Sequence, residues 1–335
     1  MKRLVIKGPR EAYFEDVPIP ECTGDGLLIR AEATAISTGT ELRVYRWIPV
    51  DEEGKFLHAG MAFPDEPVEN GYSMVGRVVE VGRDVTGFAE GDRVFLSETH
   101  KEYAAVGANT VVKLPDGIPT DRAAMLNILG VGHISLRTGE PAPGESVAVI
   151  GLGVVGLSAL AYCRAFGLRT AGIDMSEGRL GIASKMGADL AVSPAAPGFR
   201  ERIDDLFDGE GADVVIEAAS TWRAIQTGMD IVRQDGKVVV IARHTDMPHY
   251  NLVGHPYLAK RISLRTAYGY QEEGHRWDRG RCMDLTIGLL AQGRLDIGPM
   301  LTHRVGWQEL PDIYRRLDEG DLDIVGVTVD WTDSG

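Results

Sequence analysis

The sequence predicts an α/β protein made of a β-rich part and a doubly wound parallel-sheet domain. From Met1 to about Gly117, short β-rich segments are separated by Gly, Pro and Asp clusters, a pattern typical of an all-β region with many turns. From about Thr120, apolar strands alternate with helical segments. Those strands are continuous apolar runs, as expected for a parallel sheet that helices cover on both faces.

The chain length predicts two domains. At 335 residues, the chain is about twice the usual single-domain size. From about Ala267 it contains one helical segment and a closing strand, DIVGVTVDW, which we expect to return to the β-rich part. We therefore place the β-rich domain at residues 1–122 and 267–335, and the parallel-sheet domain at residues 123–266.

Charge and cysteine content narrow the class of partner. The formal net charge of −14 would repel nucleic-acid phosphates and anionic lipid surfaces, so we expect a small-molecule substrate and neither a nucleic-acid nor a membrane partner. The three cysteines lie far apart, which argues against a disulfide framework or a clustered zinc lobe and favours the cytoplasm. The first apolar run is too short for a signal-peptide core, and no run of about 18 apolar residues predicts a membrane span.

The segment Gly151-Leu-Gly153-Val-Val-Gly156 predicts a dinucleotide site. A glycine-rich hexamer alone is a weak signal, but here an apolar strand, Ser146 to Ile150, runs into it and an apolar helix follows. The first glycine permits the tight turn, the second lets the backbone approach a pyrophosphate, and the third allows close helix-to-strand packing. The helix N-terminus supplies partial positive charge to the anion.

Asp174 predicts that the dinucleotide is NAD. It ends the second strand, where a carboxylate binds the ribose hydroxyls and repels the extra phosphate of NADP. The alternative is that Asp174 only caps the turn before the next helix, and Arg179 could soften the preference for NAD. Arg243 and His244 follow a later strand at the carboxyl edge, where the nicotinamide would lie. The residues that we assign to the cofactor are Gly151, Gly153, Val154, Val155, Gly156, Asp174, Arg179, Ala218 and Arg243.

The chain resembles the medium-chain dehydrogenase/reductase superfamily of alcohol dehydrogenase-like proteins. The segments that carry the resemblance are spread along the chain and include GDGLLIRAEATAISTGTE, GYSMVGRVVEVGRDVTGFAEGDRV, GLGVVG and LLAQGRLDIGPMLTHRV. The resemblance implies a GroES-like catalytic domain, a Rossmann NAD-binding domain and an active site in the cleft between them. It also favours a homodimer or homotetramer.

The departures from the family pattern predict that no metal is bound. Where zinc-containing members have their ligands, this chain has Thr38, Tyr72 and Asn127, none of which is a normal zinc ligand. The four clustered cysteines of the structural zinc lobe are also missing. Among relatives without zinc, AISTGTE and GYSMVGRVV are locally similar to the bacteriochlorophyllide hydroxyethyl dehydrogenase branch.

These features predict NAD-dependent oxidation of a secondary alcohol to a ketone, or the reverse, without zinc. Thr40 matches the family position that hydrogen-bonds the substrate hydroxyl. Tyr72 could accept the proton only if its pKa fell well below about 10, and it could equally be a buried residue that fills space. His100 lies in a loop where we expect solvent exposure, whereas His133 fits a structural role. The candidate catalytic residues are Thr38, Thr40, Glu41, Tyr72, Asn127 and His100.

Two other functions stay open. A quinone or enoyl reductase would typically use NADPH, which Asp174 argues against. A relative that binds nucleotide without catalysis would also lack zinc, but polar residues at the metal positions favour an enzyme. Residues 43–70 mix aromatic residues with charges and prolines, which suits either a lid over a bulky substrate or an ordinary surface loop.

Overall fold

The computed structural model divides the chain into two compact units. One contains Met1–Asn127 and Leu301–Gly335, and we call it the β-rich unit; the other is Ile128–Met300, the parallel-sheet unit. The structure describes residues 1–48, 67–244, 249, 251–272 and 274–332. Most of the predicted lid segment therefore lies outside the described residues.

The unit boundaries differ from the sequence-based ones, which lie after residues 122 and 266. The change to helical sequence near Thr120 precedes the boundary after Asn127, and the parallel-sheet unit continues to Met300. Contacts explain the second difference, because the Thr286 hydroxyl lies 2.6 Å from the buried hydroxyl of Tyr162 in the same unit. A change in sequence texture marks secondary structure, whereas a unit boundary is set by such long-range contacts.

Strands and helices are numbered in chain order. The strands are β1 (Lys2–Gly8), β2 (Glu11–Asp16), β3 (Gly26–Ala35), β4 (Val68–Glu69), β5 (Met74–Val81), β6 (Arg93–Leu96), β7 (Tyr103–Gly107), β8 (Val112–Lys113), β9 (Ser146–Ile150), β10 (Arg169–Ile173), β11 (Leu190–Val192), β12 (Ala212–Glu217), β13 (Val232–Val240), β14 (Ser263–Thr266), β15 (Leu301–Gly306) and β16 (Gly326–Asp330). The α-helices are α1 (Thr38–Tyr45), α2 (Thr120–Ala124), α3 (Leu126–Gly139), α4 (Val154–Ala165), α5 (Glu177–Lys185), α6 (Phe199–Leu206), α7 (Trp222–Ile231), α8 (Tyr257–Lys260), α9 (Arg279–Ala291) and α10 (Leu310–Asp318).

The β-rich unit contains two sheets within the described residues. One has the order β2-β1-β4, and the other has the order β15-β16-β3-β5-β6-β8, with β7 also paired to β3. The closing strand β16 runs antiparallel to β3, with Thr328 opposite Ala35. The last part of the chain therefore returns to the first, as the sequence predicts. Helix α10 buries Leu310, Ile313 and Tyr314 on one face against this core, at the spacing of an amphipathic helix.

The parallel-sheet unit has the strand order β11-β10-β9-β12-β13-β14 among its described residues, and every pairing is parallel. All five residues of β9 are buried, which explains its continuous apolar sequence. Three helices of this unit begin at a side chain that accepts a backbone N–H, namely Ser176 before α5, Thr221 before α7 and Asp278 before α9. The predicted α/β fold class, a β-rich domain with a doubly wound parallel sheet, is confirmed. Among the described residues, no helix is long and apolar enough to cross a membrane.

Candidate active site

The first turn of α1 brings together several predicted catalytic residues. Strand β3 ends at Ala35, and the Ser37 carbonyl accepts the backbone N–H groups of Thr40 and Glu41 at 3.1 and 2.9 Å. The Glu41 carboxylate reaches back and accepts the Ser37 N–H at 2.7 Å. An acidic side chain in the first turn also complements the positive end of the helix. Thr38 and Thr40 lie on this turn and are half-buried.

Tyr72 connects to that turn through its hydroxyl group. The Tyr72 hydroxyl donates to the Ser37 hydroxyl oxygen at 2.5 Å, and we call these two groups the hydroxyl pair. Asn127 holds the Tyr72 main chain, because its Nδ2 donates to the Tyr72 carbonyl at 2.5 Å and to the Ser97 hydroxyl at 2.9 Å. The structure therefore places Tyr72, Asn127 and the α1 turn in one cluster, as the sequence predicts, and adds Ser37 to it.

The environment of Tyr72 does not suit a tyrosine that ionises. Burial raises the pKa of Tyr72 above its usual 10, hydrogen bonds with Ser37 and Thr40 act in the opposite direction, and the Glu41 charge raises it further. The hypothesis that Tyr72 accepts the proton required a lowered pKa, so it is not supported by this environment. A tyrosine that stays protonated is instead suited to donate a hydrogen bond.

His100 is fully buried, so the expectation of a solvent-exposed loop is wrong. Its backbone N–H donates to the Asn70 carbonyl at 2.9 Å, and its carbonyl accepts the Leu4 N–H at 2.8 Å. Both ring nitrogens are also engaged: Nε2 lies 2.9 Å from the Glu41 carboxylate and Nδ1 lies 2.7 Å from the Thr34 hydroxyl. The loop after β6 is therefore tied into the core by backbone bonds that its polar sequence does not reveal.

Sequence reasoning did not find four residues of this cluster. Ser37 adjoins the predicted Thr38, and a hydroxyl in the turn AISTGTE is a signal that could have indicated it. Thr34, Tyr314 and Trp331 are buried: Thr34 bonds to His100, Tyr314 bonds to Glu41 and Trp331 bonds to Thr34, and only the fold brings these partners together. Tyr314 lies 273 positions after Glu41, a separation at which no local pattern predicts contact.

The glycine turn of the parallel-sheet unit has the geometry that its sequence predicts. Gly151 has φ +90°, a conformation that side chains rarely adopt. A Cβ on Gly156 would lie 1.8 Å from the Gly151 carbonyl oxygen, so only glycine fits between helix and turn. A Cβ on Gly153 would meet nothing within 4 Å, which leaves the start of α4 open. Val154 is buried and Val155 is half-buried on the first turn of that helix.

Asp174 is bound to the glycine turn and also caps its own turn. Its carboxylate accepts the Leu152 N–H at 2.7 Å and the Ser176 N–H at 2.8 Å. The guanidinium of Arg179 lies 4.0 Å from the same carboxylate. Asp174 therefore does cap the turn before the next helix, as the alternative predicted. Its bond to Leu152 also fixes it beside the glycine turn, which capping alone does not require.

Two further predicted residues lie at the carboxyl ends of neighbouring strands. The Ala218 N–H follows β12 and donates to the Ile150 carbonyl at 2.8 Å, which places it next to the glycine turn. Arg243 is exposed, with its guanidinium 5.7 Å from the Tyr268 ring centre. Beside it, His244 Nε2 lies 2.8 Å from the buried Glu217 carboxylate, a pairing that sequence reasoning missed. The sequence signal that could have indicated this pair is Glu217 itself, a charged residue at the end of an apolar strand.

Comparisons with known proteins identify the family. Two family models match, the alcohol dehydrogenase GroES-like domain over residues 24–116 and the zinc-binding dehydrogenase over residues 154–280. A protein named L-threonine 3-dehydrogenase from Bacillus licheniformis is 30% identical in an alignment 357 positions long that covers 96% of each chain. The chain belongs to the alcohol dehydrogenase-like medium-chain dehydrogenases/reductases. The predicted superfamily is confirmed.

Other relatives agree at the level of fold. A protein named L-threonine 3-dehydrogenase from Aeromonas salmonicida is 31% identical over 331 residues, which cover 89% of this chain and 90% of that protein. The solved structure of 2R,3R-butanediol dehydrogenase from Bacillus subtilis has a TM-score of 0.82 at 19% identity, covering 98% of this chain and 99% of that one. The shared fold extends over nearly the whole chain.

Dehydrogenases of this family use a nicotinamide cofactor, and the parallel-sheet unit fits one. The open space at Gly153 lies at the N-terminus of α4, where backbone N–H groups and the helix dipole favour a pyrophosphate. Asp174 lies beside the turn at the end of the second strand, the position from which an acidic residue binds the ribose in dinucleotide sites of this type.

Zinc, which many members of the family bind, does not fit the corresponding residues. Thr38, Tyr72 and Asn127 offer hydroxyl and amide groups in place of thiolate, imidazole or carboxylate. The Tyr72 hydroxyl and the Asn127 amide nitrogen are already bonded within the protein. In the cluster, the His100 imidazole and the Glu41 carboxylate are bonded to each other. Across the parts of the chain that the structure describes, no three His, Cys, Asp or Glu side chains form a group that could hold a metal ion.

Proposed function

We propose that this protein is an NAD-dependent dehydrogenase that oxidises a secondary alcohol to a ketone, or catalyses the reverse reaction, without catalytic zinc. The observation that carries the proposal is the hydroxyl pair of Tyr72 and Ser37. The family resemblance assigns Tyr72, and Thr38 beside Ser37, to positions at which other members have zinc ligands. The hydroxyl pair replaces a metal donor set with groups that bind an alcohol or carbonyl oxygen directly.

The hydroxyl pair suits stabilisation of negative charge on the substrate oxygen, because Ser37 accepts the one hydrogen of Tyr72 and keeps its own hydrogen to donate. In the oxidation, the alcohol carbon loses a hydride and the hydroxyl loses a proton, which would pass to solvent by way of the half-buried Thr40 hydroxyl, so negative charge develops on the substrate oxygen. When bound, the nicotinamide ring supplies the hydride acceptor or donor. Ser37, which accepts the hydrogen of Tyr72, would donate its own hydrogen to the substrate oxygen, and Thr40 would orient the substrate. Burial around these groups limits competition from water.

Asp174 supports NAD as the cofactor. Its carboxylate is fixed by the Leu152 and Ser176 N–H groups, and each oxygen keeps a further lone pair for the ribose hydroxyls. A phosphate on the ribose would meet this negative charge. Arg179, at 4.0 Å from the carboxylate, offsets that repulsion only in part. This preference disfavours an NADPH-dependent quinone or enoyl reductase.

The substrate class follows from the relatives and from the local sequence. L-threonine and 2R,3R-butanediol, after which these relatives are named, both carry a hydroxyl on a secondary carbon. The local similarity of AISTGTE and GYSMVGRVV to the bacteriochlorophyllide branch is a reason to include ring-bearing hydroxyethyl compounds in the screen below, but not to assign that substrate. A cytoplasmic location and a homodimeric or homotetrameric state belong to the same proposal.

The test is a screen for NADH formation with secondary alcohols, cyclic polyols, ring-bearing hydroxyethyl compounds and L-threonine, each with NAD or NADP. We expect at least one secondary alcohol to be oxidised faster with NAD. Faster reduction of quinones or enoyl compounds with NADPH would replace the proposal with the reductase. Tight NAD binding with no turnover of any compound would favour a relative that binds nucleotide without catalysis.

A further inference from the structure

We propose that Thr34, His100, Tyr314 and Trp331 are positioning residues. Their hydrogen bonds form a buried network that holds the Glu41 carboxylate, which in turn binds the Ser37 N–H. The inference assigns His100 the tautomer protonated at Nε2 and unprotonated at Nδ1. Its kinetic consequence rests on the proposed function, whereas the tautomer does not.

Counting hydrogens along the set gives the direction of each bond. The indole of Trp331 can only donate, and its Nε1 lies 3.0 Å from the Thr34 hydroxyl oxygen. Thr34 therefore accepts from Trp331 and has one hydrogen to give. Among the described residues, His100 Nδ1, at 2.7 Å, is the acceptor that the structure places beside it. His100 Nδ1 is then an acceptor, and the ring proton lies on Nε2, facing the Glu41 carboxylate at 2.9 Å.

The other neighbours of the Glu41 carboxylate also donate to it. The Tyr314 hydroxyl donates at 2.5 Å, and the Ser37 N–H donates at 2.7 Å to the other carboxylate oxygen. Burial and the Glu41 charge raise the pKa of Tyr314 well above 10, so this tyrosine remains a donor. Asn70 Nδ2 supports the arrangement with bonds to the Tyr314 hydroxyl and the Glu41 carbonyl at 3.3 and 3.2 Å. Donors thus surround a carboxylate that has no exposed surface.

The carboxylate transmits this arrangement to the hydroxyl pair. Ser37 is held from two sides, because its N–H donates to Glu41 and its hydroxyl accepts from Tyr72. A shift of Glu41 would move the Ser37 main chain and with it the acceptor of the Tyr72 hydroxyl. Errors of about 1 Å in a catalytic geometry cost on the order of 100-fold in rate.

His100 also contacts the segment that carries Tyr72. The adjoining Gly71 has φ +99°, and a Cβ there would lie 2.7 Å from His100 Cδ2. The ring therefore occupies the space that any side chain at position 71 would need. His100 supports the hydroxyl pair from both partners, since it contacts the Tyr72 segment and, through Glu41, the Ser37 turn.

The tautomer is tested first, on the whole protein labelled with ¹⁵N-histidine. The His100 ring signals are assigned by their loss in His100→Gln. We expect chemical shifts of an unprotonated Nδ1 and a protonated Nε2 at neutral pH. A protonated Nδ1, in either the other tautomer or the imidazolium ion, would overturn the proposal whether or not the protein oxidises alcohols.

The kinetic test uses Thr34→Val and Tyr314→Phe, with Thr34→Ser as the conservative rescue. We expect kcat to fall about 10- to 100-fold in the first two variants while the Kd for NAD changes less than about twofold, and Thr34→Ser to recover most of the rate. The control is Tyr162→Phe, which removes a buried hydroxyl bonded to Thr286 within the parallel-sheet unit. It should lower the free energy of unfolding about as much as Tyr314→Phe without lowering kcat. Equal kcat losses in Tyr162→Phe and Tyr314→Phe, or normal kcat in Thr34→Val, would contradict the positioning role. Absence of turnover in the unmodified protein would instead contradict the proposed function.

Discussion

The hydroxyl group of Tyr72 donates a 2.5 Å hydrogen bond to the hydroxyl oxygen of Ser37, which immediately precedes helix α1. Because burial raises the pKa of Tyr72, this tyrosine stays protonated, and Ser37, which accepts its hydrogen, keeps its own hydrogen to donate to a substrate oxygen. The residues that we assign to the cofactor, by contrast, belong to the parallel-sheet unit. Chemistry and cofactor binding should therefore respond to different substitutions.

Replacing the donor should lower the rate and leave cofactor binding intact. We expect Tyr72→Phe to lower kcat by about 100-fold, because Ser37 loses the hydrogen bond that orients it as a donor to the developing charge. We expect Thr40→Ala to lower kcat by about tenfold. Steady-state turnover across pH and direct NAD titration measure the two effects. Tyr13→Phe, which removes a hydroxyl bonded to Glu15 on β2, is the matched control and should behave as the unmodified protein. Near-normal turnover of both site variants at every pH would remove Tyr72 and Thr40 from the site.

Two glycines of the turn should fail in different ways. Gly156→Ala places a methyl group 1.8 Å from the Gly151 carbonyl oxygen, so we expect a lower Tm as well as lost NAD binding. Gly153→Ala meets open space within the protein, so the Tm should hold while NAD affinity falls at least about tenfold. Gly181→Ala, also in open space but on α5, should leave affinity unchanged. Unchanged NAD affinity in Gly153→Ala would show that the pyrophosphate does not bind there.

Asp174→Ser should narrow the preference for NAD over NADP. The substitution removes the charge that repels a ribose phosphate, and it weakens NAD binding by removing an acceptor for the ribose. Part of the loss in NAD affinity will arise because the Leu152 N–H in the glycine turn also loses its acceptor. Asp189→Ser is the control, since Asp189 accepts the Thr170 N–H at 2.7 Å on the same sheet without a role at the cofactor. A ratio of NAD to NADP affinity that is the same in Asp174→Ser and the unmodified protein would exclude Asp174 as the selector.

Buried His133 should make stability fall in mild acid. Burial, together with the charge of Arg137, lowers the pKa of His133 from 6.5 to about 4, and its ring stacks on Tyr162 with centres 5.2 Å apart. Between pH 6.5 and 4 the unfolded chain binds a proton that the folded chain does not, so stability is lost as the pH falls through this window and levels off below it.

The size of that effect can be isolated with His133→Phe, which keeps an aromatic ring. The shift corresponds to about 3 kcal/mol of unfolding free energy in the unmodified protein. Urea unfolding at pH 7 and pH 4.5 should show a smaller loss in the variant. Equal losses in both proteins would mean that His133 is not responsible for the acid sensitivity.

The sequence predicts those parts of the fold and site that depend on local pattern. The glycine turn, Asp174 and the alternation of strands and helices follow from spacing, and each is found where it was predicted. The contacts of Glu41 with His100 and Tyr314 could not be predicted, because they join distant segments across a core. His100 in particular has polar neighbours in sequence, which predict exposure. Its backbone bonds to Asn70 and Leu4 hold it in the core, and no local pattern predicts them.

In the proposed site, hydroxyl groups stabilise the charge on the substrate oxygen that zinc stabilises in other family members. The most direct measurement is the turnover of a secondary alcohol with NAD, together with the zinc content per chain, before and after exhaustive chelation. We expect zinc far below one ion per chain and the same kcat after chelation. Stoichiometric zinc whose removal abolishes turnover, and whose return restores it, would show that the enzyme depends on zinc.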